Sequence, residues 1–298
     1  MVKIMKIHAT VLASFWVVSI VWLASPSLAI AQLSELHSTV TQLEQQLQAR
    51  VGISIHDLDT GEHFAYHGDD LFPLSSTFKT LACAALLHRE DEQQENLQRW
   101  VHYEKEALVS YSPVTENFAG VAGMTLADLC EATLTLSDNT AGNLILEAID
   151  GPQGLTQFLR SIGDDVTRLD RWETQLNESL PGDLRDTTSP NAMTSTLNTL
   201  LMGDVLSARS RTQLETWLRR NSVGDALLRA GIPASWAIAD KTGAGGFGSR
   251  SIAAVMWPPN RKPIITAIYI TETDASFDER NEAIASIGRA ISESLAEQ

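Results

Sequence analysis

Ser76 is the one serine of the chain that has a lysine, Lys79, at the third position after it. The surrounding stretch, FPLSSTFKTLACAALL (72–87), begins as a loop and continues as an apolar helix, which puts Lys79 one turn after Ser76 and near the same face. A neighbouring lysine and a helix N-terminus both favour the ionised form of a serine hydroxyl, so the pair suits a nucleophile with its base. The alternative is a helix-capping serine beside a solvated lysine, and the pair alone leaves both interpretations open.

Two further fragments carry polar side chains at the ends of predicted elements. Ser137–Asn139 (SDN) ends a helical pattern, and Lys241–Gly243 (KTG) ends a predicted strand before the glycine-rich turn GAGGFG (243–248). The set S-x-x-K, S-D-N and K-T-G, in this order, is typical of class A β-lactamases and penicillin-binding proteins. Each of the three motifs is present once. With these motifs, the chain resembles a class A serine β-lactamase over nearly its whole mature length, from the opening helix to the closing one.

A polar segment from Arg171 to Pro190 is too long for an ordinary connector, and loops of this kind are usually functional. It resembles the Ω-loop of the β-lactamases, in which a glutamate and an asparagine, here Glu173 and Asn177, hold a hydrolytic water. A carboxylate beside a serine ester supplies the base that turns acylation into turnover. The family usually has proline after the glutamate, and we expect its replacement by Thr174 to have a small effect on the loop.

Two pairs of residues have structural roles in this resemblance. Arg171 and Asp186 would form the salt bridge at the neck of the loop, where composition alone indicates solvated charges. Cys83 and Cys130, the two cysteines of the chain, each lie seven residues from one of the motif serines, which places each cysteine two helical turns away on nearly the same face. A disulfide would then join two helices, and the alternative is a pair of buried free thiols.

The resemblance implies acyl transfer to Ser76 followed by hydrolysis. Either Lys79, or Glu173 acting through water, deprotonates Ser76, and the sequence does not decide between them. Ser137 passes a proton to the β-lactam nitrogen as the ring opens. The backbone N–H groups of Ser76 and Ala244 form the oxyanion hole.

Substrate recognition is expected from residues of the same motifs and from two others. Asn139 would hydrogen-bond the acylamido side chain of the substrate, and Tyr111 would form a wall of the cleft. The alternative for Tyr111 is an ordinary surface aromatic. The residues that resemble the binding group for the β-lactam carboxylate are Lys241, Thr242, Gly243 and Arg250.

The implied function is hydrolysis of penicillins and early cephalosporins, which gives antibiotic resistance. The sequence AGGFG (244–248) resembles the carbenicillin-hydrolysing members of class A, although that group often has arginine in place of Lys241. Gly246 stands where many relatives carry an acidic side chain, so a second carboxylate on the substrate should be tolerated. Carbapenem hydrolysis is not expected, because Ser75 and Gly245 occupy the positions of a cysteine pair in the carbapenemases of this class.

Two alternatives to hydrolysis are a D-Ala-D-Ala peptidase or transpeptidase, and a β-lactam-sensing receptor domain that stays acylated. Transpeptidases lack the loop glutamate, and a sensor needs a signalling partner or a membrane span beyond the N-terminal one. Glu173 therefore favours the hydrolase.

Composition and charge exclude several classes of partner. The chain has 298 residues with 37 acidic and 22 basic side chains, a net charge of −15, and no clustered basic stripe, so we expect no binding of nucleic acid. Its seven histidines show neither H-x-H nor H-E-x-x-H spacing, so we expect no metal site and no cofactor. The expected partner is a small-molecule β-lactam, bound by a monomer.

Residues 1–31 resemble a secretory signal peptide. Lys3 and Lys6 precede an uncharged apolar run from Ile7 to Ala24, and Ala29–Ala31 (AIA) is a cleavage-like triplet. We expect cleavage after this triplet, secretion to the periplasm and no stable membrane association afterwards. The alternative is an uncleaved anchor helix.

Hydrophobic periodicity predicts the helices and strands that carry these residues. Strands at both ends of the chain and helices in the middle indicate an α+β fold: an antiparallel five-stranded sheet covered by the terminal helices, plus an all-helical lobe. We place the catalytic domain at 32–298, with the α/β lobe at about 32–68 and 219–298 and the helical lobe at about 69–218. The predicted helices are Leu33–Arg50, most of 77–149 and Ala275–Glu297, and the predicted strands are Val51–Leu58, Glu62–His67, Ser235–Lys241, Arg250–Trp257 and Pro263–Thr271.

Overall fold

The computed structural model describes Val2 and residues 26–296, with side chains from 34 to 294. The helices are α1 Pro26–Leu47, α2 Phe78–Asp91, α3 Leu126–Thr135, α4 Asn139–Ala148, α5 Gly151–Ser161, α6 Pro190–Leu201, α7 Ala208–Arg219, α8 Leu228–Gly231 and α9 Phe277–Ala296. The strands are β1 Arg50–Asp57, β2 His63–Tyr66, β3 Phe72–Pro73, β4 Trp100–Val101, β5 Met124–Thr125, β6 Thr187–Thr188, β7 Ala237–Ala244, β8 Arg250–Trp257 and β9 Ile264–Thr271.

The main sheet has five antiparallel strands in the order β2-β1-β9-β8-β7, which confirms the predicted sheet. Its centre pairs β1 from the N-terminal part of the chain with β9 from the C-terminal part, from Arg50 opposite Thr271 to Asp57 opposite Ile264. Two short ladders, β3 with β6 and β4 with β5, lie outside this sheet. Strand β7, which carries the KTG residues, forms one edge of the sheet.

The two faces of the sheet bury two hydrophobic clusters, because side chains alternate between the faces along each strand. On one face, Ile53 and Ile268 pack with Val40 of α1 and Ile284 of α9. On the other face, Val255 belongs to the cluster that contains the buried side chains of helices α2 to α7. The terminal helices therefore cover one face and the helices of the middle of the chain cover the other, which confirms the α+β class.

Several element boundaries differ from the prediction, most of them by one to three residues. Helix α1 begins at Pro26, seven residues before the predicted start at Leu33, and proline suits a first helical turn because its missing N–H is not needed there. Strand β7 continues to Ala244, three residues past Lys241, because Ala244 still pairs with Arg250 of β8. The KTG motif therefore lies inside the edge strand and not at its end.

The charged and apolar parts of the predicted signal peptide, Lys3 to Ala24, lie outside the described residues. Helix α1 runs through Ala31, where we expect cleavage. In the part of the chain that the structure describes, no helix combines the length and the apolar character needed to cross a membrane. The signal peptide and the boundaries of the two lobes stay predictions.

Candidate active site

Ser76 lies in a single 3-10 turn, Ser75–Thr77, that leads directly into α2. The backbone N–H and the hydroxyl of Thr77 both donate to Leu74 O, at 3.1 and 2.6 Å, and so close the turn. Ser75 has a φ of +42°, in the left-handed region that few residues other than glycine adopt. The turn presents Ser76 to a cleft, while Lys79, on the first turn of α2, is fully buried beneath it.

The serine and the asparagine of the SDN motif lie at the junction between α3 and α4. Ser137 has a left-handed φ of +60°, and Asn139 begins α4. Between them, Asp138 caps α4 by accepting from Ala141 N–H at 2.8 Å, and it also accepts from the N–H and the hydroxyl of Thr115, each at 2.9 Å. This buried carboxylate fixes the junction. Its role was missed in the sequence, although an aspartate directly before a helix is a capping signal.

Lys79 connects the nucleophile turn to the other two segments of the site. Its Nζ donates to Ser137 O at 2.9 Å, to Ser137 Oγ at 3.3 Å and to Asn139 Oδ1 at 2.6 Å. Glu173 Oε1 lies 3.2 Å from the same nitrogen, and both side chains of this ion pair are inaccessible to solvent. Burial lowers the pKa of Lys79, and the Glu173 carboxylate opposes that shift. Lys79 therefore gives up its proton at a lower pH than an exposed lysine does.

Glu173 is held in place by two asparagines. Asn143 of α4 forms a reciprocal pair with its backbone: Glu173 N–H donates to Asn143 Oδ1 at 2.9 Å, and Asn143 Nδ2 donates to Glu173 O at 3.0 Å. Asn177 Nδ2 donates to Glu173 Oε2 at 2.5 Å, while Asn177 Oδ1 is buried and has no hydrogen-bond partner among the described residues. The Glu173–Thr174 peptide is cis. Asn143 was not identified from the sequence, because nothing local marks an asparagine inside a helix as a clamp for a distant loop.

The neck of the loop is closed by Arg171 and Asp186. Arg171 Nε lies 2.5 Å from Asp186 Oδ2, and the other oxygen of Asp186 accepts from the N–H groups of Asp170 and Arg171 at 2.8 and 2.9 Å. Arg171 Nη1 also lies 2.6 Å from Glu178 Oε2. The arginine therefore joins the neck to the residue that follows Asn177.

Edge strand β7 brings a second lysine to Ser137. Lys241 is fully buried, and its Nζ donates to Ser137 Oγ at 3.0 Å and to Thr242 O at 2.9 Å. Burial and the nearby Lys79 lower the pKa of Lys241 well below its usual value. We expect Lys241 to help bind the substrate carboxylate, and its ammonium group also contacts Ser137.

Gly243 lets β7 pack directly on the turn that carries Ser76. A Cβ atom at this position would lie 3.1 Å from Ser75 Cβ, 3.2 Å from Leu74 O and 2.4 Å from Ser251 Oγ. Such contacts would push the strand away from the turn. Ala244 follows at the mouth of the cleft, so the two N–H groups of the expected oxyanion hole come from two segments in contact.

Arg250, the first residue of β8, pairs with Ala244 at the end of β7. Its Nη1 donates to Gly243 O at 2.9 Å, its Nε donates to Asn281 Oδ1 at 2.8 Å, and its guanidinium lies 4.6 Å from the centre of the Phe277 ring. Burial, together with the nearby Arg280, lowers the pKa of Arg250 to about 10. Asn281 and Phe277 were missed in the sequence, because they lie on α9, far along the chain.

These segments enclose an open cleft of about 500 Å³. Tyr111, more than half exposed, stands at its rim, and Tyr111 O accepts from Asn139 N–H at 3.0 Å. Lys79, Lys241 and Glu173 lie beneath the floor. The predicted residues that line the cleft are Ser76, Tyr111, Ser137, Asn139, Asn177, Thr242, Gly243, Ala244 and Arg250, and the lining residues that were not predicted are Val223, Ala226, Leu227, Phe277 and Asn281.

A disulfide joins Cys83 of α2 to Cys130 of α3, as predicted. Both residues are fully buried, and their Cα atoms lie 5.8 Å apart. The bridge therefore links the helix that follows Ser76 to the helix that precedes Ser137.

Known proteins with similar sequences are β-lactamases. A model of the β-lactamase enzyme family matches residues 35–295. β-Lactamase CARB-3 of Pseudomonas aeruginosa is 51% identical over 269 residues, 89% of this chain and 93% of its own length. β-Lactamase AER-1 of Aeromonas hydrophila is 49% identical over 263 residues, 88% of this chain and 86% of its own length.

Solved structures give the same result. The chromosome-encoded β-lactamase of Vibrio parahaemolyticus superposes with a TM-score of 0.86 at 46% identity, covering 88% of this chain and 100% of that one. An ancestral class A β-lactamase superposes with a TM-score of 0.86 at 54% identity, covering 87% of this chain and 100% of that one. The chain therefore belongs to the β-lactamase family and is a member of class A.

Proposed function

We propose that the chain hydrolyses the β-lactam amide of penicillins, and of early cephalosporins, through an acyl-enzyme on Ser76, and so gives antibiotic resistance. The observation that carries the proposal is the buried Glu173 carboxylate, 3.2 Å from Lys79 Nζ and 2.5 Å from Asn177 Nδ2. A serine ester is stable unless a base activates water beside it, and this carboxylate is positioned to be that base.

The residues of the site divide the reaction between them. Ser76 attacks the carbonyl carbon, and Lys79, or Glu173 through water, takes its proton. The N–H groups of Ser76 and Ala244 bind the oxyanion. Ser137 then donates a proton to the leaving nitrogen, and Glu173 with Asn177 directs water at the ester.

Substrate is held at both ends of the cleft. Thr242 and Arg250 bind the β-lactam carboxylate, with Lys241 adding positive charge from beneath. Asn139 hydrogen-bonds the acylamido group, and Tyr111 packs against it.

Replacing Glu173 by alanine tests the assignment. The Glu173→Ala variant should acylate with benzylpenicillin and then stop, because Ser76 and Lys79 remain while the base for water is lost. Intact-mass spectrometry should show a persistent adduct of one acyl group. Glu147→Ala, which removes an exposed carboxylate from α4, is the control and should turn over.

Burst kinetics separate hydrolysis from the two alternatives. A peptidase or a sensor domain would consume one equivalent of penicillin and stop, whereas a hydrolase continues at a steady rate. Normal turnover by Glu173→Ala would contradict the role of Glu173, and a single-equivalent burst by the wild type would contradict hydrolysis itself.

The remaining proposals concern the setting of the enzyme. We propose that it acts as a periplasmic monomer, free of the membrane after removal of residues 1–31. The supporting observation is the signal-like N-terminal sequence. N-terminal sequencing of the exported protein and light scattering test these points.

A further inference from the structure

A loop at residues 221–227, between α7 and α8, forms one wall of the cleft. Val223, Ala226 and Leu227 line the cleft together with Thr242 and Arg250. Those last two residues bind the substrate carboxylate in the proposed function. The position of the loop therefore sets the width of the carboxylate subsite.

Asn221 is the first residue of this 221–227 loop and is almost fully buried. Its Oδ1 accepts from Val223 N–H at 3.1 Å, and its Nδ2 donates to Asp240 Oδ2 at 2.5 Å. A backbone N–H can only donate, and an ionised carboxylate can only accept, so the two partners fix the orientation of the amide. The amide of an asparagine offers both an acceptor and a donor at every pH, so Asn221 can serve both partners at once.

Asp240 lies on β7, directly before Lys241, and is completely buried. Its second oxygen accepts from Arg229 Nη2 at 2.5 Å, and Arg229 Nε lies 3.9 Å from Asp225. Burial raises the pKa of Asp240, and Arg229 and Asn221 oppose that shift. The carboxylate therefore needs both partners to stay ionised in this position.

The loop is pressed closely against this carboxylate. A Cβ atom at Gly224 would lie 2.5 Å from Asp240 Oδ2 and 2.9 Å from Asn221 Nδ2, so only glycine fits there. On its other side the loop is tied to the end of α3, because Ser222 donates to Thr135 O through its N–H at 3.0 Å and its hydroxyl at 3.1 Å. The loop therefore spans from the α3 end, just before Ser137, to β7.

We propose that Asn221 and Asp240 are positioning residues: their hydrogen bond holds the 221–227 loop against β7 and thereby sets the affinity of the cleft for the substrate carboxylate. This inference rests on the proposed function, since it assigns a further determinant of binding to the same site. Neither Asn221 nor Asp240 lines the cleft, so both act through Val223, Ala226 and Leu227, which do.

The near-isosteric substitution Asn221→Asp tests the proposal. It places a second carboxyl group against Asp240, and two carboxyls in contact hold one proton between them at low pH. That proton replaces the lost amide donor. As pH rises the proton leaves, the carboxylates repel and the loop moves from β7. The other charged groups around the pair are Arg229, Asp225, Lys241 and Arg250.

The expected result is a split between KM and kcat. Relative to the wild type, KM of Asn221→Asp for benzylpenicillin should rise about tenfold between about pH 5.5 and about pH 8, while kcat changes by less than about threefold. The shared carboxyl has a pKa above its unfolded value, so the variant should also lose melting temperature, relative to the wild type, as pH rises.

Two further variants complete the experiment. The swap Asn221→Asp with Asp240→Asn restores one amide and one carboxylate and should remove the pH dependence of KM. Asn260→Asp makes the same chemical change at an exposed turn and should match the wild type. A KM of Asn221→Asp that follows the wild type at both pH values, or a loss confined to kcat, would overturn the proposal.

Failure of the proposed function looks different. A wild-type protein that does not turn over benzylpenicillin would refute hydrolysis, and the melting-temperature profiles would still report whether Asn221 and Asp240 hold the loop. If the melting temperature of Asn221→Asp, relative to the wild type, does not change with pH, the proposal for Asn221 and Asp240 is refuted and the proposed function is not affected.

Discussion

The Ser137 hydroxyl accepts hydrogen bonds from two buried lysines, Lys79 at 3.3 Å and Lys241 at 3.0 Å. A hydroxyl has two acceptor positions and one proton to donate. With both acceptor positions occupied by ammonium groups, the proton of Ser137 is free to point into the cleft. This arrangement suits donation to the leaving nitrogen of a β-lactam.

Lys241→Arg tests whether the charge at this position limits activity at high pH. Burial and Lys79 lower the pKa of Lys241, so the wild-type ammonium should lose its proton at a lower pH than a free lysine would. Loss of that charge weakens attraction for the substrate carboxylate, and kcat/KM should fall as pH rises. A guanidinium stays charged, so in Lys241→Arg the fall should move upward by about one pH unit or more.

The measurement is kcat/KM for benzylpenicillin across the alkaline range. Lys105→Arg, the same change at an exposed lysine, serves as control and should leave the profile in place. If the profile of Lys241→Arg coincides with that of the wild type, the alkaline loss belongs to another group, of which Lys79 is the first candidate.

The Cys83–Cys130 disulfide should stabilise the packing of helix α2 on helix α3. The bridge closes a loop with a sequence separation of 47, and the chain-entropy model gives about 4 kcal/mol as an upper figure for a loop of this length. The double variant Cys83→Ala with Cys130→Ala should lower the free energy of unfolding by about 2–4 kcal/mol in urea titrations.

Reductant provides the matched comparison for this prediction. Reduced wild-type protein should lose a similar stability, while the double variant should be insensitive to reductant. Denatured, unreduced wild type should contain no titratable thiol, and finding two would show that the bridge does not form in the protein as isolated.

Most elements of the fold could be predicted because each has its own local pattern. Strand β8 was predicted at Arg250–Trp257 and is found there, since a continuous apolar run and flanking turns define it. Strand β7 was predicted too short, because Gly243 and Ala244 have weak strand propensity, and their place in the strand is fixed by pairing with β8. Local propensity does not contain that information.

Some residues of the candidate site could likewise be predicted from the sequence, and others could not. Ser76 and the other motif residues were found because their spacing is typical of a family. Asn143, Asn221 and Asn281 were not found, because each is an ordinary polar residue whose partner is distant in sequence: the loop glutamate, the buried aspartate of β7 and the arginine of β8. Only the folded structure brings such pairs together.

The edge of the cleft at Gly246 predicts that the enzyme tolerates carboxypenicillins. Gly246 N–H donates to Asn177 O at 2.8 Å, and a Cβ atom there would lie 2.4 Å from Glu178 O, so this edge carries no side chain. The carboxylate of Glu178 is neutralised by Arg171 at 2.6 Å. A second carboxylate on the substrate therefore meets no unpaired acid at this edge.

The measurement is the ratio of kcat/KM for carbenicillin to that for benzylpenicillin. We expect the two values to lie within about tenfold of each other. A ratio below about one hundredth, equivalent to roughly 2.7 kcal/mol of discrimination, would show that the glycine edge does not confer this tolerance. A carbapenem in the same assay should not be turned over.

The pairing of β1 with β9 has a consequence for how the protein is made. Strand β1 leaves the ribosome well before β9, so the centre of the sheet cannot close until β9 has been synthesised. Pairings between such distant segments are also slow to form. A nascent chain that already contains Ser76, Glu173 and Lys241 therefore still lacks a working cleft, because edge strand β7 is anchored to β1 only through β8 and β9. Activity should therefore appear only in chains that extend through β9.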